Sequence, residues 1–173
     1  DGFARQWDAA TGIQLAEFPV EGREIYGLAL SQDGRSDGRF LALGLHDGEI
    51  DLWDTAAHTL IQRLTGHAGL VFRLAFSPNG SLLASSAFDR QAKVWDVVNG
   101  QELFTLYGNA SNVFGVSFSP DGNQLATAGA DGTIHIYTME IEDLIALAKS
   151  RLTRTLTEAE CQKYLHMGSC PSE

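Results

Sequence analysis

The stretch that decides the fold is GHAGLVFRLAFSPNGSLLASSAFDRQAKVWD, which runs from Gly66 to Asp96. It opens with Gly66-His67, closes with Trp95-Asp96, and contains runs of β-branched, aromatic and small apolar residues separated by turn signals. These runs, with a further one after the Asn99-Gly100 turn, are Val71–Phe76, Leu82–Ala87, Ala92–Trp95 and Glu102–Leu106. Four short runs joined by hairpin-type turns predict one antiparallel four-stranded meander.

The meander repeats along the chain. Its third run ends in an aromatic-acidic pair, which recurs at steps of 46 and 42 residues, and a degenerate pair follows 42 residues later: Trp7-Asp8, Trp53-Asp54, Trp95-Asp96 and Tyr137-Thr138. Fourteen residues after each tryptophan come Glu21, His67 and Asn109, and ten residues further on a serine opens a turn at Ser31, Ser77 and Ser119. A period in the low forties with a GH…WD signature is that of a propeller blade.

On these residues, from Asp1 to about Met139, the chain resembles the WD-repeat β-propeller family. The resemblance implies an all-β fold: a partial propeller of about three and a half blades of four-stranded antiparallel sheets. We expect units at about residues 1–20, 24–65, 70–106 and 112–139, with 2, 4, 4 and 3 strands. The second unit has four extra residues in SQDGRSDGRF, between its first two strands, either as a functional loop or as a tolerated surface insertion.

Residues 140–173 follow a different period and predict a short helical C-terminal tail. Apolar residues recur at helical spacing, namely Ile141, Leu144, Ile145, Ala148 and Leu152, and the run Thr157–Glu160 is a capping-box pattern that opens a second helix. The tail is similar to C-terminal tails of bacterial multidomain WD-repeat signalling proteins, in which a propeller serves as a sensor behind an effector. This resemblance suggests a bacterial parent.

The predicted strands are too few to close a ring, because propellers have four to eight blades around a channel. We therefore expect this chain to be the C-terminal part of a longer polypeptide, whose other strands complete the ring. In the family, the start of the propeller domain commonly supplies the missing fourth strand of the last blade. The alternative is a complete protein that closes a ring by oligomerising.

Composition narrows the classes of function. The formal net charge is −10, which disfavours nucleic acid and anionic membranes as partners. No apolar run approaches the roughly 20 residues that span a bilayer. The repeats contain no cysteine, which fits a cytoplasmic protein.

Four residues of the third unit superficially offer a Ser/His/Asp catalytic set: His67, Ser85, Asp89 and Trp95. In WD-repeat blades, residues at these positions form a structural hydrogen-bond chain from the indole to the turn carboxylate, since a buried indole N–H and a buried carboxylate need partners. We adopt that interpretation, with Ser86 as an alternative hydroxyl. The neighbouring units depart from the set, with Glu21 and Asn109 in place of the histidine and Leu43 in place of the hydroxyl.

A metal site and a cofactor are not expected. The candidate ligands Cys161, His166 and Cys170 lack a fourth member and a CxxC spacing. A Cys161–Cys170 disulfide and two ordinary thiols both remain open. No phosphate-binding glycine loop or nucleophile elbow occurs, so the sequence predicts a protein that is not an enzyme.

The resemblance also implies a partner-binding surface. In WD-repeat propellers, contacts come largely from the start of each first strand and from the residue before the turn aspartate. The candidates at matching positions here are Tyr26, His46, Leu70, Phe72, Phe88 and Phe114. Either these aromatics form a binding surface or they pack between blades. The first alternative predicts that Phe72 and Phe114 are partly open, while Phe76 and Phe118 are fully buried.

Two functional hypotheses follow. The first is a recognition, scaffold or sensor propeller that binds a protein or peptide on one face and takes part in signalling. The second is a structural propeller that positions a catalytic domain encoded upstream, of the NTPase, protease or kinase type. Neither places chemistry in residues 1–173.

Overall fold

The structure is a computed structural model, which describes residues 2–31 and 39–139. Every regular element in these two ranges is a β-strand. The thirteen described strands are β1 Phe3–Trp7, β2 Gln14–Pro19, β3 Ile25–Leu30, β4 Phe40–Leu45, β5 Ile50–Asp54, β6 Thr59–Leu64, β7 Val71–Phe76, β8 Leu82–Ala87, β9 Ala92–Asp96, β10 Glu102–Leu106, β11 Val113–Phe118, β12 Gln124–Gly129 and β13 Ile134–Thr138.

The strands form four antiparallel meanders, in which each strand pairs with its neighbours in sequence. We call these sheets blades 1 to 4: β1-β2, β3-β4-β5-β6, β7-β8-β9-β10 and β11-β12-β13. The all-β fold class is confirmed, and the strand numbers of the described blades agree with those expected from the sequence. The predicted bounds of β7, β8 and β10 match the observed ones, because turn signals flank these strands on both sides.

The aspartate after each tryptophan shapes the turn between third and fourth strands. Asp8 Oδ1 accepts hydrogen bonds from the backbone N–H groups of Ala10 and Thr11, at 2.9 and 2.8 Å. Asp54 and Asp96 make the same pair of bonds in their own turns. The acidic half of the repeated pair is therefore a turn-forming carboxylate.

The buried core lies between successive blades. One cluster joins β1 and β2 to blade 2, where Phe18 and Val20 pack with Leu43, Leu45 and Trp53. A second cluster joins blade 2 to blade 3 and contains Trp95. Each of these two tryptophans thus packs towards the preceding blade.

Apolar side chains are open at both ends of the described set of blades. Trp7, the equivalent tryptophan of blade 1, is 55% exposed, whereas Trp53 and Trp95 are 7% and 1% exposed. In the three-stranded blade 4, Ile134 and Ile136 of β13 are also exposed.

Several predictions fall on residues that the structure does not describe. These are the inserted loop of the second unit, the tail helices, and the residues Cys161, His166 and Cys170, so the disulfide and thiol alternatives remain open. The domain division at residues 139 and 140 also stays a prediction. Across residues 2–31 and 39–139, no helix is long and apolar enough to cross a membrane.

Candidate partner-binding rim

One end of blades 2, 3 and 4 is built in the same way three times. The residue before the turn aspartate donates its backbone N–H to the carbonyl of the residue that precedes the first strand. The three bonds are His46 to Glu24 at 3.1 Å, Phe88 to Leu70 at 3.0 Å, and Ala130 to Asn112 at 2.8 Å. These bonds hold the end of each second strand beside the start of the first strand, and we call this end the rim.

The first strand of each of these blades has a β-bulge at the rim. The pairing register shifts between Ile25 and Gly27 in β3, and the same shift recurs at the equivalent positions of β7 and β11. The residues within the three shifts are Tyr26, Phe72 and Phe114. A bulge leaves its extra residue outside the ladder and re-aims the side chain, so the regular spacing of these aromatics marks one structural position repeated three times.

Three of the rim aromatics contact each other and form what we call the aromatic cluster: Phe72, Phe88 and Phe114. Their ring centroids lie 5.7 Å apart for Phe72–Phe88, and 5.4 Å apart for both Phe72–Phe114 and Phe88–Phe114. Phe88 and Phe114 are 38% and 42% exposed, and Phe72 is half-buried. The cluster therefore bridges blades 3 and 4 and presents apolar ring surface to solvent.

The remaining candidates lie close by in the fold. Leu70 is half-buried and is tied to Phe88 by the rim hydrogen bond. In blade 2, the rings of Tyr26 and His46 lie 5.9 Å apart, and both residues are exposed. The Tyr26 hydroxyl donates to Glu24 Oε2 at 3.1 Å, and this bond raises the pKa of Tyr26.

The expectation that Phe76 and Phe118 are fully buried is wrong. Both rings are half-buried, because they line an open cavity of about 580 Å³. Leu28, Leu30 and Pro78 also line this cavity. The contrast between open rim rings and enclosed rings further along the same strands therefore does not hold for β7 and β11.

The polar set of blade 3 forms one continuous chain of hydrogen bonds. Trp95 Nε1–H donates to Ser85 Oγ at 2.8 Å, and Ser85 Oγ lies 2.8 Å from His67 Nε2. His67 Nδ1 lies 2.7 Å from Asp89 Oδ2. The indole N–H donates to the Ser85 hydroxyl, the hydroxyl donates to Nε2 of a neutral imidazole, and Nδ1–H donates to the carboxylate. Every polar group in this series therefore has a partner. Because Ser85 and the His67 side chain are fully buried, no substrate reaches them.

The carboxylate at the end of this chain is stabilised in its ionised form. Burial alone raises the pKa of Asp89, but hydrogen bonds from His67 and from the backbone N–H groups of Ala68 and Gln91 outweigh it. The pKa of Asp89 is therefore lowered.

Blade 2 replaces this chain with a charged network that sequence reasoning did not identify. Arg23 contacts Asp51 at 2.6 Å, Glu49 at 2.8 Å and the turn carboxylate of Asp47 at 3.7 Å. Burial raises the pKa of Asp51 more than Arg23 and Arg63 lower it. With Leu43 in place of the hydroxyl, Trp53 Nε1 is buried without a hydrogen-bond partner among the described residues.

Blade 4 keeps the turn aspartate but lacks the hydrogen-bond chain of blade 3. The side chains of Asn109 and Thr127 are buried and have no hydrogen-bond partner within the part of the chain that the structure describes. Asp131 accepts bonds from the Thr133 hydroxyl, the Thr133 backbone and Ala110 N–H, which lower its pKa to about 2. The Tyr137 hydroxyl instead donates to the carbonyl of Tyr107 at 3.0 Å.

The described ranges contain no group of three or more histidine, cysteine, aspartate or glutamate residues that is arranged to hold a metal ion. The three tail residues considered from the sequence lie outside these ranges. Of the candidates proposed from the sequence, the structure brings Phe72, Phe88 and Phe114 into mutual contact at the rim.

Comparison with known proteins places these repeats in a class. Residues 58–96 and 100–138 match the WD40 family, described as WD domain, G-beta repeat. The chain thus contains two WD40 repeats, and its fold is that of a WD-repeat propeller. The matched segments include Trp95 and Tyr137 and end in blades 3 and 4.

The similar curated proteins are eukaryotic. The chain is 37% identical over 71 residues to the anaphase-promoting complex subunit cdc20 of Dictyostelium discoideum, covering 41% of this chain and 14% of that protein. It is 41% identical over 58 residues to the nuclear distribution protein PAC1 of Coprinopsis cinerea, covering 34% of this chain and 13% of that protein. The chain therefore spans less than a fifth of the length of these relatives.

Among solved structures, a chain in the crystal structure of the mitotic checkpoint complex is similar, with a TM-score of 0.70 and 27% identity. The match covers 79% of this chain and 41% of that chain. Two of these three matches are named for protein complexes, the anaphase-promoting complex and the mitotic checkpoint complex. The matches lend no support to the predicted bacterial parent, which rests on the tail alone.

Proposed function

We propose that the rim is a protein- or peptide-binding surface of a non-catalytic propeller. The observation that carries this proposal is the aromatic cluster, in which three rings from two blades contact each other while two stay partly open to solvent. Partly exposed aromatics that share contacts are the side chains from which binding hot spots are built.

A catalytic role for the polar set of blade 3 is disfavoured by its burial. The His67–Ser85–Asp89 set is buried and each of its members is occupied by a structural hydrogen bond. The similar proteins named above are a subunit of a complex, a nuclear distribution protein and a member of a checkpoint complex, and this also favours interaction over catalysis.

We also propose that additional strands of the propeller pack against blades 1 and 4. The exposed face of Trp7 in blade 1 and of Ile134 and Ile136 in blade 4 would be covered by strands that complete the ring. We propose that these strands belong to the same polypeptide, as is common in WD-repeat propellers. The sensor and signalling role, the cytoplasmic location and the bacterial parent are proposals that rest on the sequence alone.

Selection of peptides against the intact polypeptide tests the rim. Random peptides displayed on phage would be selected for binding, and the dissociation constants of the selected peptides would be measured on purified variants. The double variant Phe88→Ser/Phe114→Ser should lose roughly tenfold or more in affinity, because it removes two hot-spot rings. Its unfolding midpoint should change little, since both rings are already partly solvated.

Ile61→Ser is the matched control, because Ile61 is a similarly exposed apolar residue at 43% but lies on the outer strand β6. Selected peptides that bind the double variant and the parent equally would contradict the proposal. So would a double variant that unfolds, because the rings would then belong to the core.

A further inference from the structure

The cationic side chains of the described residues are not equally paired. Five of the seven have carboxylate partners within ion-pair distance: Arg5, Arg23, Arg39, Arg63 and Lys93. Within residues 2–31 and 39–139, Arg73 and Arg90 have no such partner. Both belong to blade 3, the blade that supplies two of the three rings of the aromatic cluster.

Arg73 lies directly beside the cluster. Its guanidinium carbon is 5.8 Å from the centroid of the Phe72 ring, at cation–π distance, and the residue is exposed. The equivalent residues of blades 2 and 4 are Gly27 and Gly115, which have no side chain. Among the three first strands that the structure describes, β7 alone has a cation at this position.

Arg90 lies on the same rim, two residues after Phe88 in the turn between β8 and β9. It adopts a left-handed conformation with φ of 69°, which a side chain rarely takes. The adjacent Asp89 does not neutralise it, because the Asp89 carboxylate is buried and accepts hydrogen bonds from His67, Ala68 and Gln91.

The acidic groups of the rim lie on the neighbouring blades. In blade 2, Glu24 accepts a hydrogen bond from the Tyr26 hydroxyl, and Asp47 is exposed. In blade 4, Asp131 is exposed. The two unpaired arginines of blade 3 thus have exposed carboxylates on both neighbouring blades.

We propose that the rim of blade 3 binds a short acidic peptide segment, in which an apolar or aromatic residue contacts the aromatic cluster and an adjacent carboxylate pairs with Arg73, while Arg90 adds positive charge at the same end of the blade. Arginine matches a carboxylate with two parallel N–H donors. A long polyanion does not fit, because the flanking acidic groups and the net charge of −10 repel it. This inference rests on the proposed binding role of the rim and adds the charge of the partner.

The experiment uses the peptides selected on phage against the intact polypeptide. We expect these peptides to be enriched in Asp or Glu next to Phe, Trp or Leu. Synthetic versions with the acidic residue replaced by its amide should bind roughly tenfold more weakly, as expected for the loss of a charge-assisted hydrogen bond. The advantage of the acidic version should shrink as salt rises.

Arg73→Gln should remove most of that difference between acidic and amide peptides, whereas Arg73→Lys should keep part of it. Arg39→Gln is the matched control, because Arg39 is also exposed and lies 5.2 Å from an aromatic ring, that of Phe40, but is paired with Asp54. Such a double-mutant comparison isolates the pairing between peptide and protein.

Three outcomes would overturn the inference. Amide or lysine versions that bind as well as the acidic one, while still requiring Phe88 and Phe114, would show that the partner is not acidic and would leave the rim as a binding surface. If phosphoserine versions bind more tightly and depend on Arg73 in the same way, the anionic group of the partner is a phosphate and not a carboxylate. Selected peptides that need neither Phe88 nor Phe114 would remove the proposed function itself.

Discussion

Ser85 and Ser86 are adjacent, equally buried, and opposite in their hydrogen bonding. The Ser85 hydroxyl links Trp95 Nε1 to His67 Nε2, with 2.8 Å on each side. The Ser86 hydroxyl has no partner among the described residues. The sequence alone does not decide which serine joins Trp95 to His67. Successive residues of β8 point to opposite faces of the sheet, and only Ser85 lies on the face of Trp95 and His67.

Ser85→Ala should therefore destabilise the fold, while Ser86→Ala should not. The first substitution leaves the indole N–H of Trp95 and a ring nitrogen of His67 buried without partners, at a cost of about 1–3 kcal/mol. The second removes an oxygen that has no bond to lose. Urea denaturation of both variants in the intact polypeptide measures the difference, and equal midpoints would contradict the role of Ser85.

Trp95→Ala should destabilise more than Trp53→Ala. Each substitution removes a large buried ring, which costs roughly 3–5 kcal/mol. Only Trp95→Ala also breaks the hydrogen-bond chain, since Trp53 Nε1 has no partner to leave behind in the described part of the protein. The additional loss should be about 1–3 kcal/mol. Equal shifts of the denaturant midpoint would show that the chain contributes little.

Asp89 should make the fold sensitive to acid. Its pKa is lower in the folded state than in the unfolded chain, so its stabilising contribution is complete above the unfolded value near 3.8. That contribution is lost as pH falls through the lower folded value. Chemical denaturation should show that Asp89→Asn is less stable than the parent at neutral pH, and that the two converge as pH falls below about 4. A gap that stays constant would assign the loss to geometry and not to charge.

Gly44→Ala should weaken the contact between blades 2 and 3. A Cβ at Gly44 would lie 2.7 Å from Val71 Cγ1 and 2.9 Å from the Val71 carbonyl oxygen. Overpacking of this kind costs about 1–3 kcal/mol. Adding Val71→Ala removes one of the two clashes, so the double variant should lose less than the sum of the single losses. Simple additivity would mean that the blades shift to accommodate the methyl group.

The 173-residue chain expressed alone should fold poorly. Trp7, Ile134 and Ile136 would remain open to solvent, and edge strands with apolar faces promote aggregation. Iodide quenching should then detect an accessible tryptophan that becomes protected in a polypeptide with the complete ring. A monomer of the 173 residues with one sharp, cooperative melt would refute this expectation.

Repeat spacing predicted the fold well, because the turns between strands are encoded locally. The turn aspartates, and glycines such as Gly48 at positive φ, act within a few residues. The rim positions were found for the same reason, since each blade repeats them. Their role in binding stays a prediction, as does the helical tail.

Long-range pairing was harder to predict. Arg23 reaches Asp51, which is 28 residues away in sequence, and no local pattern indicates that contact. The degree of enclosure of Phe76 was also missed, since alternation along β7 predicts which face a ring occupies but not whether the neighbouring space is filled. The cavity beside Phe76 depends on the relative placement of three first strands.

The bulges at Tyr26, Phe72 and Phe114 separate the identity of these three side chains from the register of the strands that carry them. A residue at a bulge has no ladder partner, so its identity has little influence on strand register. Natural variation or a designed library can therefore change these three side chains while the backbone bonds of the rim stay in place. Under the proposed function, exchanging one residue per blade would change the binding preference of the rim without changing its scaffold.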